Sequence, residues 1–223
     1  MVRTKDQAHE VAWFKKRRSV SAEAIARHGA SVAITEADTR LMREIQNGIK
    51  EQFFTFLKAN PTKNKGKGLQ GALAQAWAKI ATFNEFEGSP IVTFVNPVDA
   101  AEYLGNAGVG ADASNVFGMT LLKNFLGMQN VIVMNGVPEG KVYTTAVENL
   151  VFAYLDVANG DLGGLFADFT DETGLIAVAR DRALKNLTFE SVFFGANVLF
   201  AEIPQGVVET SIEKPAAAGV PGG

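Results

Sequence analysis

A long amphipathic helix in the first third of the sequence constrains the fold more than any other feature. Apolar residues recur every four positions, at Leu41, Ile45, Ile49 and Phe53. This spacing is typical of one face of an α-helix. The capping-box spacing of Thr35 and Asp38 predicts where the helix begins, and Asn60–Pro61 predicts where it ends. The result is a helix of about five turns at 3.6 residues each, whose apolar face must be covered by the rest of the chain.

Helices and strands are intermixed along the remainder of the sequence. We predict helices over residues 21–28, 69–83 and 98–104, and strands over residues 11–18, 91–95, 130–134, 142–145, 150–155, 187–194 and 198–203. The stretch PTKNKGKG at 61–68 is predicted to be a basic linker or mobile loop, and residues 105–114 a glycine-rich loop. Residues 117–126 are compatible with either helix or irregular structure. This order, without a regular alternation of strand and helix, predicts an α+β fold.

The charge of the chain is strongly divided along the sequence. Residues 1–68 contain 14 Lys and Arg against 7 Asp and Glu, a balance of +7, while the remaining residues have a balance of −10. The formal net charge of −3 hides this division, which predicts separate basic and acidic surfaces. The candidate contact residues for nucleic acid or for an acidic neighbour are Lys15, Lys16, Arg17, Arg18, Lys63, Lys65 and Lys67. Because only Trp13 and Phe14 lie near the first cluster, a solvated strand end is the simpler interpretation of that cluster.

No motif of a known catalytic or cofactor site is complete in this sequence. The chain has no cysteine, which excludes disulfides, thiolate metal sites and a cysteine nucleophile. The glycines of residues 105–110 are spaced Gly-x-x-Gly-x-Gly and follow a predicted helix, so they do not match a dinucleotide-binding loop. Asp168, Asp171 and Glu172 could bind a cation or act as an acid–base pair, but a solvated turn is the favoured interpretation. We therefore predict no catalytic residues, no cofactor and no metal.

Membrane contact is not predicted either. No stretch approaches the roughly 18 uninterrupted apolar residues of a membrane span, and no apolar run of signal-peptide length follows the charges of the first 18 residues. The sequence thus predicts neither a secretion signal nor a membrane partner.

The order and spacing of several segments resemble the major capsid proteins of tailed bacteriophages. The segments that carry the resemblance are GALAQAW at 71–77, IVTFVNPVDAAEYL at 91–104, FGMT at 117–120, VPEGKVY at 137–143, TAVENL at 145–150, TDETGLI at 170–176 and GVVETSI at 206–212. The combination of Val95-Asn96-Pro97 entering a helix with the late Gly-Val-Val strand is the most specific part. The resemblance covers residues from about 35 to 213.

What the resemblance implies is a Hong Kong 97-type capsid fold with a long spine helix, a peripheral domain and an axial domain. On this basis residues 1–33 would be a remnant of the extended loop with a short helix, 34–90 the peripheral domain with the spine helix, 91–165 mainly the axial domain, 166–213 the return strands of the peripheral domain, and 214–223 a flexible tail.

The resemblance also implies a function without a pocket. The chain would be a structural subunit that self-assembles through hexamers and pentamers into the shell around a DNA genome. Its partners would be copies of itself, packaged DNA without sequence preference, and possible scaffolding, portal and decoration proteins. It would assemble in the host cytoplasm and reside in the virion capsid. Two alternatives stay open at this point: an encapsulin-like compartment shell of cellular origin, and a basic nucleic-acid-binding module.

Overall fold

A computed structural model describes residues 9–107, 112–116, 119–125, 128–157, 161–170 and 173–213. Its helices are α1 (Ala22–His28), α2 (Ala30–Ala59), α3 (Gly68–Ala81), α4 (Pro97–Ala107) and α5 (Asp161–Phe166). Its strands are β1 (Ala12–Ser21), β2 (Thr62–Lys67), β3 (Ile91–Val95), β4 (Asp112–Val116), β5 (Met119–Phe125), β6 (Met128–Val133), β7 (Lys141–Ala146), β8 (Leu150–Tyr154), β9 (Phe169–Thr170), β10 (Ala177–Ala183), β11 (Thr188–Ala201) and β12 (Val208–Glu213). The mixture of helix and sheet agrees with the predicted α+β class.

The described strands form two sheets. The five-stranded sheet has the order β1-β11-β10-β9, with β8 also paired to β11. The seven-stranded sheet has the order β2-β12-β7-β3-β6-β5-β4. Most neighbours are antiparallel, but β2 runs parallel to β12 and β3 runs parallel to β6.

The chain divides into two compact units, each assembled from separate stretches of sequence. One unit comprises Met1–Ile49 and Phe152–Leu199, and the other comprises Lys50–Val151 and Phe200–Gly223. In the first unit, Leu41 and Ile45 of α2 are buried against Val178 and Phe193 of the five-stranded sheet. This contact confirms that the four-residue apolar repeat of α2 is a buried face.

The core of the second unit has two layers, one on each face of the seven-stranded sheet. Leu69 and Leu73 of α3 pack with Val95 of β3 on one face. Phe54 of α2 packs with Phe94 of β3 on the other face. Because successive residues of a strand point to opposite faces, neighbouring Phe94 and Val95 belong to different layers.

The beginning of α1 and the end of α2 follow the sequence prediction, whereas the beginning of α2 does not. Ser21 caps α1 by accepting a hydrogen bond from the backbone N–H of Ala24, and Gly29, with φ of 81°, ends that helix. The next helix begins at once at Ala30 rather than at Thr35, so it is 30 residues long. The predicted capping box at Thr35 and Asp38 is therefore wrong, since both residues lie inside α2.

The predicted basic loop at residues 61–68 is also wrong, because residues 62–67 form the edge strand β2. The segment lacks the apolar alternation that marks a strand. Its pairing depends instead on β12, which is 141 or more residues away in the chain and supplies acidic partners for its lysines. Long-range pairing of this kind leaves no local pattern in the sequence.

Three further boundaries differ from the prediction. The predicted loop at 105–114 is helical to Ala107 and resumes as β4 at Asp112, while residues 108–111 lie outside the described part. Residues 119–125 form β5 rather than a helix or irregular segment, because β5 pairs with both β4 and β6. The two strands predicted at 187–194 and 198–203 form one strand, β11. The predicted flexible tail at 214–223 lies outside the described residues.

Candidate functional site: the two basic strands

The first basic cluster lies on β1, which pairs with β11 at an edge of the five-stranded sheet. Its four consecutive cations alternate between the two faces of the strand. Arg18 Nη2 lies 3.3 Å from Oε1 of Glu44 in α2. Arg17, on the opposite face, forms an ion pair with Glu190 of β11. Two of the four cations thus have acidic partners within the same chain.

The other two cations of β1 are more available. Lys15 Nζ lies 5.6 Å from the centroid of the Trp13 ring, within the range of a cation–π contact. Lys16 is exposed and forms no ion pair or side-chain hydrogen bond with the described residues. Trp13 is itself 50% exposed, so this end of β1 presents both charge and an aromatic surface to solvent.

The second basic cluster lies on β2, and two of its three lysines form ion pairs with glutamates of β12. The register places Lys63 beside Glu209 and Lys67 beside Glu213. Lys63 Nζ lies 2.8 Å from Glu209 Oε1, and Lys65 Nζ lies 3.8 Å from Glu213 Oε1. Lys67 is exposed and has no ion pair with the described residues.

Glu209 is the centre of a buried polar network that was not predicted from the sequence. Its side chain is 6% exposed, and Oε1 accepts from both Lys63 Nζ and Lys141 Nζ, the latter at 3.0 Å. The hydroxyl of Tyr143 donates to Oε2 at 2.6 Å. The network joins β12 to β2 on one side and to β7 on the other.

Burial and hydrogen bonding act in opposite directions on the pKa of Glu209. Burial raises it, but the hydrogen bonds from Lys63, Tyr143 and Lys141 and the charge of Lys141 outweigh burial and lower it to about 2. The pKa of Tyr143 is raised above its ordinary value, first by burial and then by its hydrogen bond to the Glu209 carboxylate. The carboxylate is therefore ionised and the phenol protonated at neutral pH. This is typical of a hydrogen bond that stabilises the fold rather than of a pair that transfers a proton.

These contacts change the meaning of the charge division. The pairs Arg17–Glu190, Lys63–Glu209 and Lys65–Glu213 each join the basic first third of the chain to the acidic remainder. Part of the division is therefore neutralised inside one subunit. Only knowledge of the strand register could have revealed this, because the paired residues are far apart in sequence.

Two of the segments that carried the family resemblance, at residues 91–104 and 137–143, meet in the second unit. The Asn96 side chain accepts a hydrogen bond from the Val98 N–H and donates to the Val137 carbonyl. The carboxylate of Asp99 accepts from the Gly140 N–H at 2.9 Å. The first turn of α4 thus holds the turn at residues 137–140 in place, which gives a physical reason for two distant motifs to occur together.

The acidic group considered as a cation or acid–base site is only partly described. Asp168 is exposed and accepts a hydrogen bond from the Arg180 backbone N–H. Asp171 and Glu172 lie outside the described residues. Across the described part of the chain there is no cluster of three or more His, Asp or Glu side chains placed to hold a metal ion. None of the described helices combines the length and apolarity needed to cross a membrane.

Comparison with protein families decides what kind of protein this is. A family model described as "Phage capsid protein" matches residues 4–208. The chain belongs to this phage capsid family. No curated protein matches the sequence.

Solved structures show that the capsid chain has the Hong Kong 97-type fold. It resembles the SrpI encapsulin of Synechococcus elongatus PCC 7942 at a TM-score of 0.58 and 11% identity, covering 90% of this chain and 73% of that one. A structure from Mycobacterium phage Che8 gives 0.55 at 13% identity, covering 89% and 70%. The mature capsid of bacteriophage PhiM1 gives 0.54 at 9% identity, covering 99% and 79%. The predicted fold class is confirmed.

The family establishes the general role of the chain. It is a structural subunit of a phage capsid shell, located in the virion capsid and associating with copies of itself. Its family is structural rather than enzymatic.

Proposed function

We propose that this capsid subunit assembles through hexamers and pentamers into an icosahedral shell that encloses the DNA genome of a tailed phage, and that it has no catalytic activity. The observation that carries the proposal is the family match across residues 4–208, joined to a fold shared with phage capsids. Assembly would take place in the host cytoplasm, with scaffolding, portal and decoration proteins as further partners. We also propose the bounds of the peripheral and axial domains that the resemblance implies.

The shell would be held together by many weak contacts between subunits, which stabilise it in sum. Head-to-tail contacts use two different surfaces of each subunit and close into rings when the rotation permits. Exposed ion pairs contribute about 0–1 kcal/mol each, so charge orients such contacts while apolar burial stabilises them. We assign Lys16 and Lys67 to contact with neighbours or packaged DNA, because neither has an acidic partner among the described residues. Phosphate contact by such lysines is insensitive to base sequence.

The direct test is assembly of the purified full chain. Sedimentation velocity and negative-stain microscopy are expected to show closed shells or rings, and the assembled fraction should fall as salt rises, because salt screens exposed charge. A protein that stays monomeric over a wide concentration range would contradict the proposal. Assembly that does not change with salt would contradict only the contribution of charge to these contacts, not the assembly itself.

An encapsulin-like compartment is a second candidate, supported by the similarity to the SrpI encapsulin. The contents of purified particles discriminate between the two. Particles from the native source that contain genomic DNA and a portal support the phage shell, whereas an enclosed enzyme supports the compartment. Tight DNA binding by dissociated subunits in a mobility-shift assay would instead support a nucleic-acid-binding module.

A further inference from the structure

The connection from β6 to β7 begins with a turn that contains an asparagine followed by a glycine. The Val137 N–H donates a hydrogen bond to the Met134 carbonyl at 3.1 Å, which places Asn135 and Gly136 at the two central positions of the turn. Met134 and Val137 are buried, whereas Asn135 and Gly136 are both exposed. The pair is therefore presented to water on a turn whose two ends are fixed in the core.

An asparagine followed by a glycine can react with its own main chain. The backbone nitrogen of the glycine loses its proton and attacks the side-chain carbonyl carbon of the asparagine. A new C–N bond forms, the bond to the side-chain amide nitrogen breaks, and that nitrogen takes up the proton and leaves as ammonia. One water molecule then opens the cyclic imide to aspartate or to isoaspartate. Glycine favours the attack because it has no side chain to obstruct the approach.

The structure leaves both reacting groups of the turn available. The Gly136 N–H and the Asn135 side chain form no hydrogen bond with the described residues. No bond must therefore be broken before the nitrogen attacks, and the exposed side chain admits the water that opens the imide.

The same dipeptide occurs in α2, where the surroundings differ in one respect. Asn47 is also exposed, but Asn47 and Gly48 lie inside the 30-residue helix. Each N–H within an α-helix donates to the carbonyl four residues earlier, so the nitrogen of Gly48 is engaged and the backbone is held in helical geometry. Reaction there requires local opening of the helix. A third pair, at residues 159–160, lies outside the described residues.

We propose that Asn135 is a site of spontaneous deamidation in the folded subunit, with water as the only co-reactant. The product adds a carboxylate to a turn region that already contains the exposed Glu139. The isoaspartate form also lengthens the main chain between Met134 and Val137. Because Asn96 of the β3–α4 connection donates to the Val137 carbonyl at 2.6 Å, the lengthened segment is the one that this side chain holds. This inference goes beyond the proposed function and does not depend on assembly.

The test compares the two asparagines within one sample. The purified full chain is kept in warm, mildly alkaline buffer and digested with trypsin, which places Asn47 and Asn135 in different peptides because Lys and Arg residues separate them. Mass spectrometry with fragment spectra then locates each conversion of an amide to a carboxyl group. We expect Asn135 to deamidate at least about tenfold faster than Asn47, since only the open fraction of the helix reacts.

The same incubation in concentrated urea is the control for local sequence. Both pairs then lie in an unfolded chain, and their rates should agree within about twofold. Equal rates in the folded chain, or an Asn135 that reacts only in urea, would overturn the inference.

The product provides a second, independent measurement. An isoaspartyl methyltransferase should label the Asn135 peptide of the folded chain after incubation, because opening of the imide yields isoaspartate whereas direct hydrolysis of the amide yields only aspartate. Asn135→Gln should abolish this label and leave the Asn47 peptide unchanged. A wild-type Asn135 peptide without the label would overturn the inference. A chain that never assembles would contradict the proposed function and leave this test unaffected.

Discussion

The ring of Phe14 occupies the space in which a side chain at position 195 would lie. Phe14 and Gly195 are direct partners across β1 and β11. A β-carbon built on Gly195 would lie 2.5 Å from Phe14 Cζ and 2.2 Å from the Leu175 carbonyl oxygen, closer than real β-carbons approach other atoms. The absence of a side chain at 195 therefore lets the aromatic ring of β1 pack against the core beneath the five-stranded sheet.

Replacing Gly195 with alanine should displace β1. The new methyl group meets a backbone carbonyl that cannot move independently, so we expect the free energy of unfolding of dissociated subunits to fall by about 1–3 kcal/mol. Urea denaturation followed by circular dichroism measures the change. Gly48→Ala is the matched control: Gly48 lies in α2 with nothing within 4 Å of its built β-carbon. That substitution should stabilise the subunit by roughly 0.5–1 kcal/mol through helix propensity. Equal effects of the two substitutions would contradict the packing argument.

A second glycine controls how closely α3 approaches β2. A β-carbon at Gly66 would lie 2.4 Å from the Cα of Ala72 in α3, which is again backbone. Gly66→Ala should separate the strand from the helix, and backbone amides of β2 should exchange with deuterium at least about tenfold faster, a change of about 1.4 kcal/mol in local stability. Gly71→Ala, whose built β-carbon makes only ordinary contacts, should leave that exchange unchanged. Protection of β2 that survives Gly66→Ala would show that the helix can move away without cost.

The local sequence predicts those elements whose stability is local. The four-residue apolar repeat of α2 and the serine cap of α1 are both encoded by near neighbours. Edge strand β2 is not encoded locally. Its lysines are typical of a loop, and only the pairing with β12 places Glu209 and Glu213 beside them. Likewise Gly195 and Asn197 resemble a strand break, although β11 continues through both.

The candidate site shows the same limit. The sequence predicts both basic clusters. It does not predict their acidic partners, because these depend on the register between strands that are distant in sequence. The Glu209 network is absent from the sequence prediction for that reason. The exposure of Trp77 is not predicted either, because an aromatic residue at helical spacing is ordinarily part of a core.

The Glu209 network predicts that the subunit loses folding stability as the pH falls. The pKa of Glu209 is about 2 in the folded chain against an ordinary value of 4.5, so ionised Glu209 stabilises the fold at neutral pH. This stabilisation, about 3 kcal/mol, is present above about pH 4.5 and is lost as the pH falls through 4.5 towards 2. Glu209→Gln keeps the shape but removes the charge, so its free energy of unfolding should fall less steeply over this window. Urea titrations of wild type and variant between pH 7 and 2 measure the difference. Parallel curves would contradict the role of the carboxylate.

Charge reversal distinguishes the lysines that are available for intermolecular contact from those used within the fold. Lys16→Glu and Lys67→Glu should leave the melting temperature of the dissociated subunit within a few degrees, because neither lysine has an ion pair with the described residues. They should nevertheless reduce assembly at low salt and make it less dependent on salt, since salt screens only the charges that contribute to contacts. Lys63→Glu should behave differently, because it places a second carboxylate against buried Glu209, which keeps only Lys141 as a cationic partner, and so destabilises the subunit itself by about 1–3 kcal/mol. Differential scanning calorimetry and light scattering across a salt series separate these outcomes. If Lys16→Glu and Lys67→Glu assemble with the wild-type salt dependence, the intermolecular role of both lysines is contradicted.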